Sequence, residues 1–259
     1  MQTVTLQELF EKINEWAPWD TAEPWDNCGI IVNMGQTVTG VLCALDITHE
    51  VIDEAKARGC NVIFAHHPVI FKPVKCLSEQ DLFVRLAREG ISAICAHTNL
   101  DKAANGVSHT LAECVGLSQI SCADGFLYTG VLPQKMTMAE FAAQAGRYLQ
   151  ASVQYTCPEK MVCKVGVVSG AGGDFFREAA AAGCDCLLTG EAGHHEALDA
   201  QQLGLALAAA GHCETEYPIV AVMAEKVRSW FAWLTVEQAK RNSPFFLFSQ
   251  THSCPETLG

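Results

Sequence analysis

Short apolar runs alternate with amphipathic stretches along most of the chain. Runs at residues 40–45 and 91–96 have the length and composition of buried strands, and the segments between such runs place apolar residues at helical spacing. A helix is also expected over residues 137–149, where Thr137 and Glu140 form the sequence signature of a capping box. This order of elements predicts an α/β protein with mixed sheets flanked by helices.

Two adjacent histidines end one of the apolar runs. The run NVIFA leads directly into His66 and His67, and Pro68 stops the strand. Successive strand side chains point to opposite faces, so neighbouring histidines can serve one site only where the strand ends and the chain turns. Open α/β sheets bind ligands at such strand ends. Two interpretations stand: a metal site that takes one histidine per ion, or one buried structural histidine beside an exposed one.

The chain repeats this pattern. The segments VLCALDITHEVIDEAKARGCNVIFAHH and VGVVSGAGGDFFREAAAAGCDCLLTGEAGHH share the order strand, helix, Gly-Cys, strand and His-His. The general strand–helix alternation of α/β proteins explains this order but not the matched histidine pairs. We therefore predict a single domain over residues 1–259, built from two similar α/β repeats at approximately 38–125 and 126–240. A pseudo-twofold axis would relate the repeats and bring their strand ends to one site.

A second matched signature follows each histidine pair. His97 and Asp101 in the first half, and His212 and Glu216 in the second, are each separated by three residues at the end of an apolar strand. Imidazoles and carboxylates suit zinc, manganese, iron and nickel, and a carboxylate can bridge two ions about 3.5–4 Å apart. The alternative makes the histidines core residues and the carboxylates first-turn residues of helices. Taken together, the residues favour a centre of two divalent ions that activates water.

Two further features of the sequence each allow two interpretations. The loop SGAGGD lies between a strand and a helix, where backbone N–H groups could bind an anion, although glycines also occur there for steric reasons. Cys213 is either a nucleophile or, as we prefer, a spacer between His212 and Glu216. The chain has no Walker loop, GxGxxG motif or GxSxG elbow, which disfavours a nucleotide-driven motor, a dehydrogenase and an α/β-hydrolase.

Charge and composition narrow the classes of partner. The formal charge of −12 disfavours a nucleic-acid or anionic-membrane surface, and any phosphate substrate would need positive charge from a metal. The 13 cysteines form no CxxC pair, the N-terminus lacks a signal-peptide pattern, and no apolar run is long enough to span a membrane. These features predict a cytoplasmic protein with free thiols.

The chain carries, in this order, the motifs WDNCGIIV, AHHPVIF, AHTNLDKAANGVSHTLAE, SGAGG, TGEAGHH and GHCETE. From about residue 6 to residue 233 it resembles the dinuclear-metal, toroidal-hexamer family labelled "GTP cyclohydrolase 1 type 2 homologue". The resemblance implies two intertwined α/β repeats and assembly into a homohexamer. Longer members carry an inserted middle domain, and we expect none here.

The resemblance also assigns roles to residues. It implies that Glu216 bridges the two ions and that His97 lies beside them as a catalytic proton shuttle. The implied metal ligands are His66, His67, Asp101, His212 and Glu216. The residues implied to line the same cavity, as supports of the ligands or substrate contacts, are Glu191, His194 and His195. The departures from the family pattern, which bear on substrate fit more than on metal binding, are Cys28, Ile30, Lys102 and Cys213.

Two functions follow from these residues. The first is a metal-dependent hydrolase in which activated water attacks a purine-ring carbon, as in ring opening of GTP, or a phosphoester. The second is a non-catalytic metal-binding ring that acts as a regulator or scaffold. Five ligands shared by two ions leave coordination positions to water, which favours catalysis. Binding of nucleic acid inside a ring is disfavoured by the charge.

Overall fold

The computed structural model describes residues 2–35 and 37–245, which form two mixed β-sheets flanked by helices and one two-stranded ladder. The first half contains β1 (Val4–Thr5), α1 (Leu6–Trp16), β2 (Gly29–Val32), β3 (Thr37–Val38), β4 (Gly40–Ala44), α2 (His49–Ala57), β5 (Val62–Ala65), α3 (Leu82–Glu89), β6 (Ser92–Cys95), α4 (Thr98–Lys102) and α5 (Val107–Cys114). The second half contains β7 (Ser118–Asp124), β8 (Leu127–Thr137), α6 (Met138–Leu149), β9 (Gln154–Tyr155), β10 (Met161–Val168), α7 (Phe176–Ala181), β11 (Cys186–Thr189), α8 (His194–Gln202), β12 (Ala206–Ala209), α9 (His212–Glu216), α10 (Ile219–Trp230) and β13 (Thr235–Gln238). The predicted α/β class with mixed sheets and flanking helices is confirmed.

Each large sheet contains a run of adjacent parallel strands, four in the first sheet and three in the second. The five-stranded sheet has the order β13-β4-β5-β6-β2, in which only β2 is antiparallel to its neighbour. The six-stranded sheet has the order β7-β8-β10-β11-β12-β9, in which β10, β11 and β12 are parallel. Strands β4, β5 and β6 of the first sheet and β10, β11 and β12 of the second are the matched strands of the predicted repeats. Their origin by duplication stays a prediction.

Strands from each half complete the sheet of the other. β7 follows the helices of the first half but pairs with β8 in the six-stranded sheet. β13 follows the last helix of the second half but pairs with β4, where Val236 lies opposite Val41. The chain therefore crosses twice between the sheets, which holds the two halves together by strand pairing.

Three of the four parallel strands of the first sheet are buried along their whole length. Every residue of β4, β5 and β6 is buried, and the successive residues Ile63 and Phe64 are both 0% exposed although they face opposite sides of the sheet. Helices cover both faces, as is usual for parallel strands. Polar ligands are thereby excluded from the strand interiors and enter only where the strands end.

Neither disulfides nor membrane-spanning helices contribute to the fold of the described residues. The cysteines there have free thiols, and Cys43 and Cys186 are fully buried. In the same part of the chain, no helix combines the length and the apolar content needed to cross a membrane.

Helix α6 begins with the capping box that its sequence predicts. Thr137 Oγ1 accepts a hydrogen bond from Glu140 N at 3.2 Å, and the Glu140 carboxylate accepts one from Thr137 N at 2.7 Å. Replacing Thr137 with alanine is expected to lower the free energy of unfolding by ~1 kcal/mol, because a first-turn N–H loses its acceptor. Urea unfolding measures this change. Thr137→Ser keeps the hydroxyl and should retain most of the stability; an equal loss in that variant would contradict the cap.

Candidate metal centre

The ends of parallel strands bring the predicted site residues together. His66 and His67 follow β5 directly, and His97 stands two residues beyond the end of the neighbouring strand β6. The short helix α4 that begins after His97 carries Asp101. From the other sheet, β12 leads into α9, which begins at His212 and ends at Glu216. The site therefore draws on both halves of the chain.

Four histidine rings form one cluster. The His67 ring lies at its centre, with centroid distances of 4.9 Å to His66, 5.4 Å to His97 and 5.6 Å to His212. The rings of His66 and His97 are 5.1 Å apart. The HHP motif and the GHCETE turn, 145 residues apart between His67 and His212, thus meet in space.

All four imidazoles use Nδ1 to bond an oxygen acceptor outside the cluster. The partners are Ala96 O for His66 (2.9 Å), Asp46 Oδ1 for His67 (2.7 Å), Asp26 Oδ1 for His97 (2.9 Å) and Glu191 Oε1 for His212 (3.1 Å). Because carbonyl and carboxylate oxygens only accept, each Nδ1 carries the proton, and Nε2 of the neutral ring keeps its lone pair. Histidines that ligate metals in proteins are held in this way.

Three buried polar atoms at the centre make no well-aligned hydrogen bond within the described residues: His66 Nε2, Asp101 Oδ1 and Glu216 Oε2. Two imidazole nitrogens do lie within 3.2 Å of Glu216 Oε2, but not in hydrogen-bond geometry. His66 Nε2 lies 3.7 Å from Asp101 Oδ1 and 3.9 Å from Glu216 Oε1. A buried polar atom without a partner costs about 1–3 kcal/mol, so such atoms are rare in native proteins. A cation among them would satisfy all three atoms, and the donor set of imidazoles and carboxylates fits a divalent transition metal.

The two oxygens of Glu216 face different imidazoles. Its Oε1 is on the side of His66, whereas Oε2 lies 3.0 Å from His67 Nε2 and 3.2 Å from His212 Nε2. The residue is only 5% exposed. Burial opposes the negative charge of Glu216, but the imidazoles of His212 and His67 outweigh it and hold the pKa of this carboxyl well below its usual range. Glu216 is therefore an ionised carboxylate with a different set of nitrogens at each oxygen.

Burial and charge set the protonation states of the other groups. Burial lowers the pKa of His66 to about 3, which keeps this imidazole neutral. Burial also opposes the charge on His67, but the carboxylates of Asp46 and Glu216 raise its pKa to about 10. Burial and the charge of Glu216 raise the pKa of Asp101 well above its usual value. A cation bound between these groups would release protons from His67 and Asp101, as metal binding generally does.

Two overlapping groups of these side chains could hold a metal ion. His66, His67 and His97 form one group, and His67, His212 and Glu216 form the other, with the ligand atoms of each group within 4.8 Å of one another. Four of the five residues expected as ligands belong to these groups. The fifth, Asp101, belongs to neither, but its Oδ1 lies 3.7 Å from His66 Nε2. His97, expected as a proton shuttle, also lies within ligand distance of two of the expected ligands. The individual roles stay predictions.

The three residues expected to line the cavity separate in the structure. Glu191 bonds His212 and lines a cavity of about 580 Å³, which His67, Asp46 and Phe245 also line. His194 and His195 are exposed at the start of α8, with their rings 5.6 Å apart. Neither bonds a member of the histidine cluster within the described part of the chain. The structure therefore brings Glu191 to the cluster by a hydrogen bond but not the two histidines.

Sequence reasoning missed two carboxylates that hold the imidazoles. Asp26 accepts hydrogen bonds from His97 and from both the N–H and the hydroxyl of Thr98, and its side chain is 0% exposed. Burial opposes its charge, but these bonds hold the pKa of Asp26 well below its usual value. Asp46 stands just beyond the end of β4, the strand beside β5. A search for carboxylates at the ends of adjacent strands would have found Asp46.

Glycines let helix α9 reach the centre. A Cβ on Gly170, which has φ +62°, would lie 2.1 Å from Glu216 Oε1. A Cβ on Gly190 would lie 2.6 Å from Gly170 O and 2.7 Å from Thr215 Oγ1. Gly170 N also donates to that Thr215 hydroxyl at 3.1 Å. The first glycine of the SGAGGD loop thus has a steric role against Glu216, while anion binding by this loop stays a prediction.

The chain is similar to known proteins along nearly its whole length. A family model described as Duf34/NIF3 (NGG1p interacting factor 3) matches residues 4–243. A Clostridium acetobutylicum protein called "GTP cyclohydrolase 1 type 2 homolog" is 31% identical over 241 residues, which cover 87% of this chain and 90% of that protein. A hypothetical protein of Staphylococcus aureus has a TM-score of 0.91 at 27% identity, over 95% of this chain and 100% of that chain. A Bacillus cereus protein related to NIF3 shares the fold, with a TM-score of 0.87 at 21% identity, over 96% of this chain and 100% of that chain. The chain therefore belongs to the Duf34/NIF3 family.

Proposed function

We propose that this protein is a metal-dependent hydrolase with a dinuclear centre. The observation that carries the proposal is the set of buried, unpartnered ligand atoms of His66, Asp101 and Glu216 within a cluster of four oriented imidazoles. The ligands would be His66, His67, Asp101, His212 and Glu216. Two divalent ions, of zinc, manganese, iron or nickel, fit this donor set.

Glu216 would be the bridging ligand. Its Oε1 approaches His66, and its Oε2 approaches His67 and His212. One ion would lie on the side of His66 and Asp101, and the other on the side of His212. A carboxylate whose oxygens face two sets of ligands is suited to hold two ions at a fixed separation.

The protein would act on a nucleotide ring or a phosphoester. Divalent ions bound in such a centre lower the pKa of water and polarise the oxygen of a substrate. Their charge would also attract a phosphate to a chain whose formal charge is −12. The name of the Clostridium relative, "GTP cyclohydrolase 1 type 2 homolog", makes GTP the first substrate to test.

His97 would hold and transfer the proton. Its Nδ1 donates a hydrogen bond to Asp26 Oδ1 at 2.9 Å, which fixes the orientation of the imidazole. The ring is 17% exposed and lies next to His66 and His67, so it can reach a substrate bound at the centre.

A turnover experiment tests the hydrolase proposal. Purified protein loaded with zinc, manganese, iron or nickel is incubated with GTP and with a phosphodiester, and the products are separated by chromatography. We expect hydrolysis that disappears on chelation, returns when metal is restored, and is absent in His66→Ala. Activity that survives both chelation and His66→Ala would overturn the metal-dependent mechanism.

The second candidate is a non-catalytic metal-binding ring that regulates or supports other proteins. Its support is the family membership together with the homohexamer that the family motifs imply. We expect a cytoplasmic homohexamer under either function, which light scattering after gel filtration would measure. Two bound ions without turnover of any tested nucleotide or phosphoester would favour this second candidate.

A variant at His97 separates a proton carrier from a metal ligand. We expect His97→Asn to keep both ions and to lower the turnover number by a factor of about 10²–10⁴, the usual contribution of general acid–base catalysis. Elemental analysis and turnover are measured on the same sample. His49→Asn, which changes an exposed histidine outside the cluster, should alter neither quantity. Loss of one ion from His97→Asn would make His97 a ligand instead.

A further inference from the structure

Two large aromatic side chains lie exposed beside the metal centre. Trp25 is 58% exposed and Phe71 is 48% exposed, and their ring centroids are 5.8 Å apart. We call these two residues the aromatic pair. Each ring lies 6.3 Å from the His97 ring, at an interplanar angle of 76°. A single imidazole therefore separates the aromatic pair from the rest of the histidine cluster.

The two segments that carry the aromatic pair are tied to each other and to the site. Asn27, two residues after Trp25, donates from Nδ2 to the carbonyl oxygen of Ile70 at 2.6 Å. Ile70 directly precedes Phe71, so this bond joins the two segments. Asp26 accepts from Thr98 N at 3.0 Å, which fixes the first segment to helix α4. Hydrogen bonds therefore hold the two segments that carry the exposed aromatic pair at the rim of the metal centre.

We propose that the aromatic pair is a stacking platform for a planar heteroaromatic ring of the substrate. This inference rests on the proposed function and narrows the substrate class to molecules that join such a ring to a phosphate or carbonyl group. A ring inserted between Trp25 and Phe71 would need about 3.5 Å on each side, more than their separation allows. Because the two rings are inclined at 52°, the substrate ring would stack on the exposed face of one and contact the other at its edge. The attached polar group would then reach past His97 to the ions.

The physical basis is the pairing of an apolar surface with a charged centre. When a planar ring stacks on an exposed aromatic side chain, water leaves both the ring and the side chain at the contact. Stacking of this kind tolerates bases of different identity. The same aromatic surface offers no stacking contact to a sugar phosphate that lacks a heteroaromatic ring. Discrimination between the two kinds of ligand is therefore the property that the platform predicts.

The experiment compares two probes that share a ribose phosphate, of which only one carries a heteroaromatic base. Calorimetry measures binding of guanosine monophosphate and of ribose 5-phosphate to the metal-loaded full chain. We expect guanosine monophosphate to bind at least about 10-fold more tightly, within the usual range for stacking of one base. Trp25→Ala and Phe71→Ala should each lower this ratio about 5-fold or more without change in metal content. Trp25→Phe keeps an aromatic face and should retain most of the ratio.

Trp233→Ala provides the matched control. Trp233 is a similarly exposed tryptophan, at 51%, and contacts Phe231 rather than a member of the centre. Its replacement should leave both affinities unchanged.

Any one of three binding results would overturn the platform. They are equal affinity of the two probes for the metal-loaded protein, undetectable binding of guanosine monophosphate, and an unchanged ratio in Trp25→Ala. Dissociation of the assembly in Trp25→Ala or Phe71→Ala, detected by gel filtration, would instead identify the pair as a contact between copies of the chain and would also overturn it. These outcomes are distinct from failure of the hydrolase proposal, which absence of metal or metal-independent activity would reveal.

Discussion

Replacing Glu216 with alanine is expected to remove at least one of roughly two bound ions per chain. The reason is the position of this buried carboxylate. Its Oε2 lies 3.0 Å from His67 Nε2 and 3.2 Å from His212 Nε2, and its Oε1 faces His66. Among the described carboxylates, only Glu216 lies within 4.0 Å of both His66 and His212. Elemental analysis of the purified variant measures the loss, and metal-dependent hydrolysis should disappear with it.

Two further variants test whether the loss of metal comes from the missing charge of Glu216 and whether it is specific to that residue. Glu216→Gln keeps the size of the side chain but removes its charge, and we expect a similar loss of metal because an amide is a poor bridging ligand. Glu214→Ala changes a carboxylate on the same short helix that pairs with Arg241 at 2.8 Å. It should keep the full metal content. An unaltered metal content in Glu216→Ala would contradict the bridging role and, with it, the dinuclear centre.

The second large effect is expected from Gly170→Ala. The new Cβ would lie 2.1 Å from Glu216 Oε1 and 3.2 Å from His212 Nε2, so the carboxylate must move out of the cluster. The residue also has φ +62°, a conformation that costs a residue with a side chain about 1–3 kcal/mol. We expect a lower free energy of unfolding together with loss of at least one ion, measured by urea unfolding and elemental analysis.

Gly183→Ala separates the backbone cost from the clash. Gly183 has φ +72°, but a Cβ there would meet no atom within 4 Å. Its replacement should lower stability by the backbone contribution alone, about 1–3 kcal/mol, and leave the metal content intact. If both glycine variants lost the same stability and neither lost metal, Gly170 would have only a conformational role.

Local patterns in the sequence account for the fold class and for the gathering of the main site residues. Buried strands are recognisable because their residues are almost all apolar, and the capping box at Thr137 is a pattern of two residues three apart. His66, His67, His97 and His212 could be placed at strand ends because each follows an apolar run directly or within three residues. Strand ends of parallel sheets are the one place where such polar groups can meet.

The pairing of each imidazole with its support could not be predicted in this way. Asp26 and His97 are 71 residues apart, and Asp26 lies in a turn before an antiparallel edge strand rather than at the end of a parallel one. Asp46 and His67 pair only because β4 and β5 are neighbours, which is a property of the strand order. His194 and His195 match the histidine pair of the first half in sequence, yet their side chains are exposed at the start of α8.

The sequence by itself determined the α/β class, the polar signatures at the strand ends and the donor chemistry of imidazoles with carboxylates. Only the tertiary structure decided which oxygens orient each imidazole, that Glu216 faces three of the rings, and that Gly170 leaves room for it. The physical reason is the separation along the chain of the residues involved. Hydrophobic periodicity and strand ends depend on neighbouring residues. The hydrogen bonds and close approaches of the site depend on the order of the strands and on how the chain crosses between the two sheets.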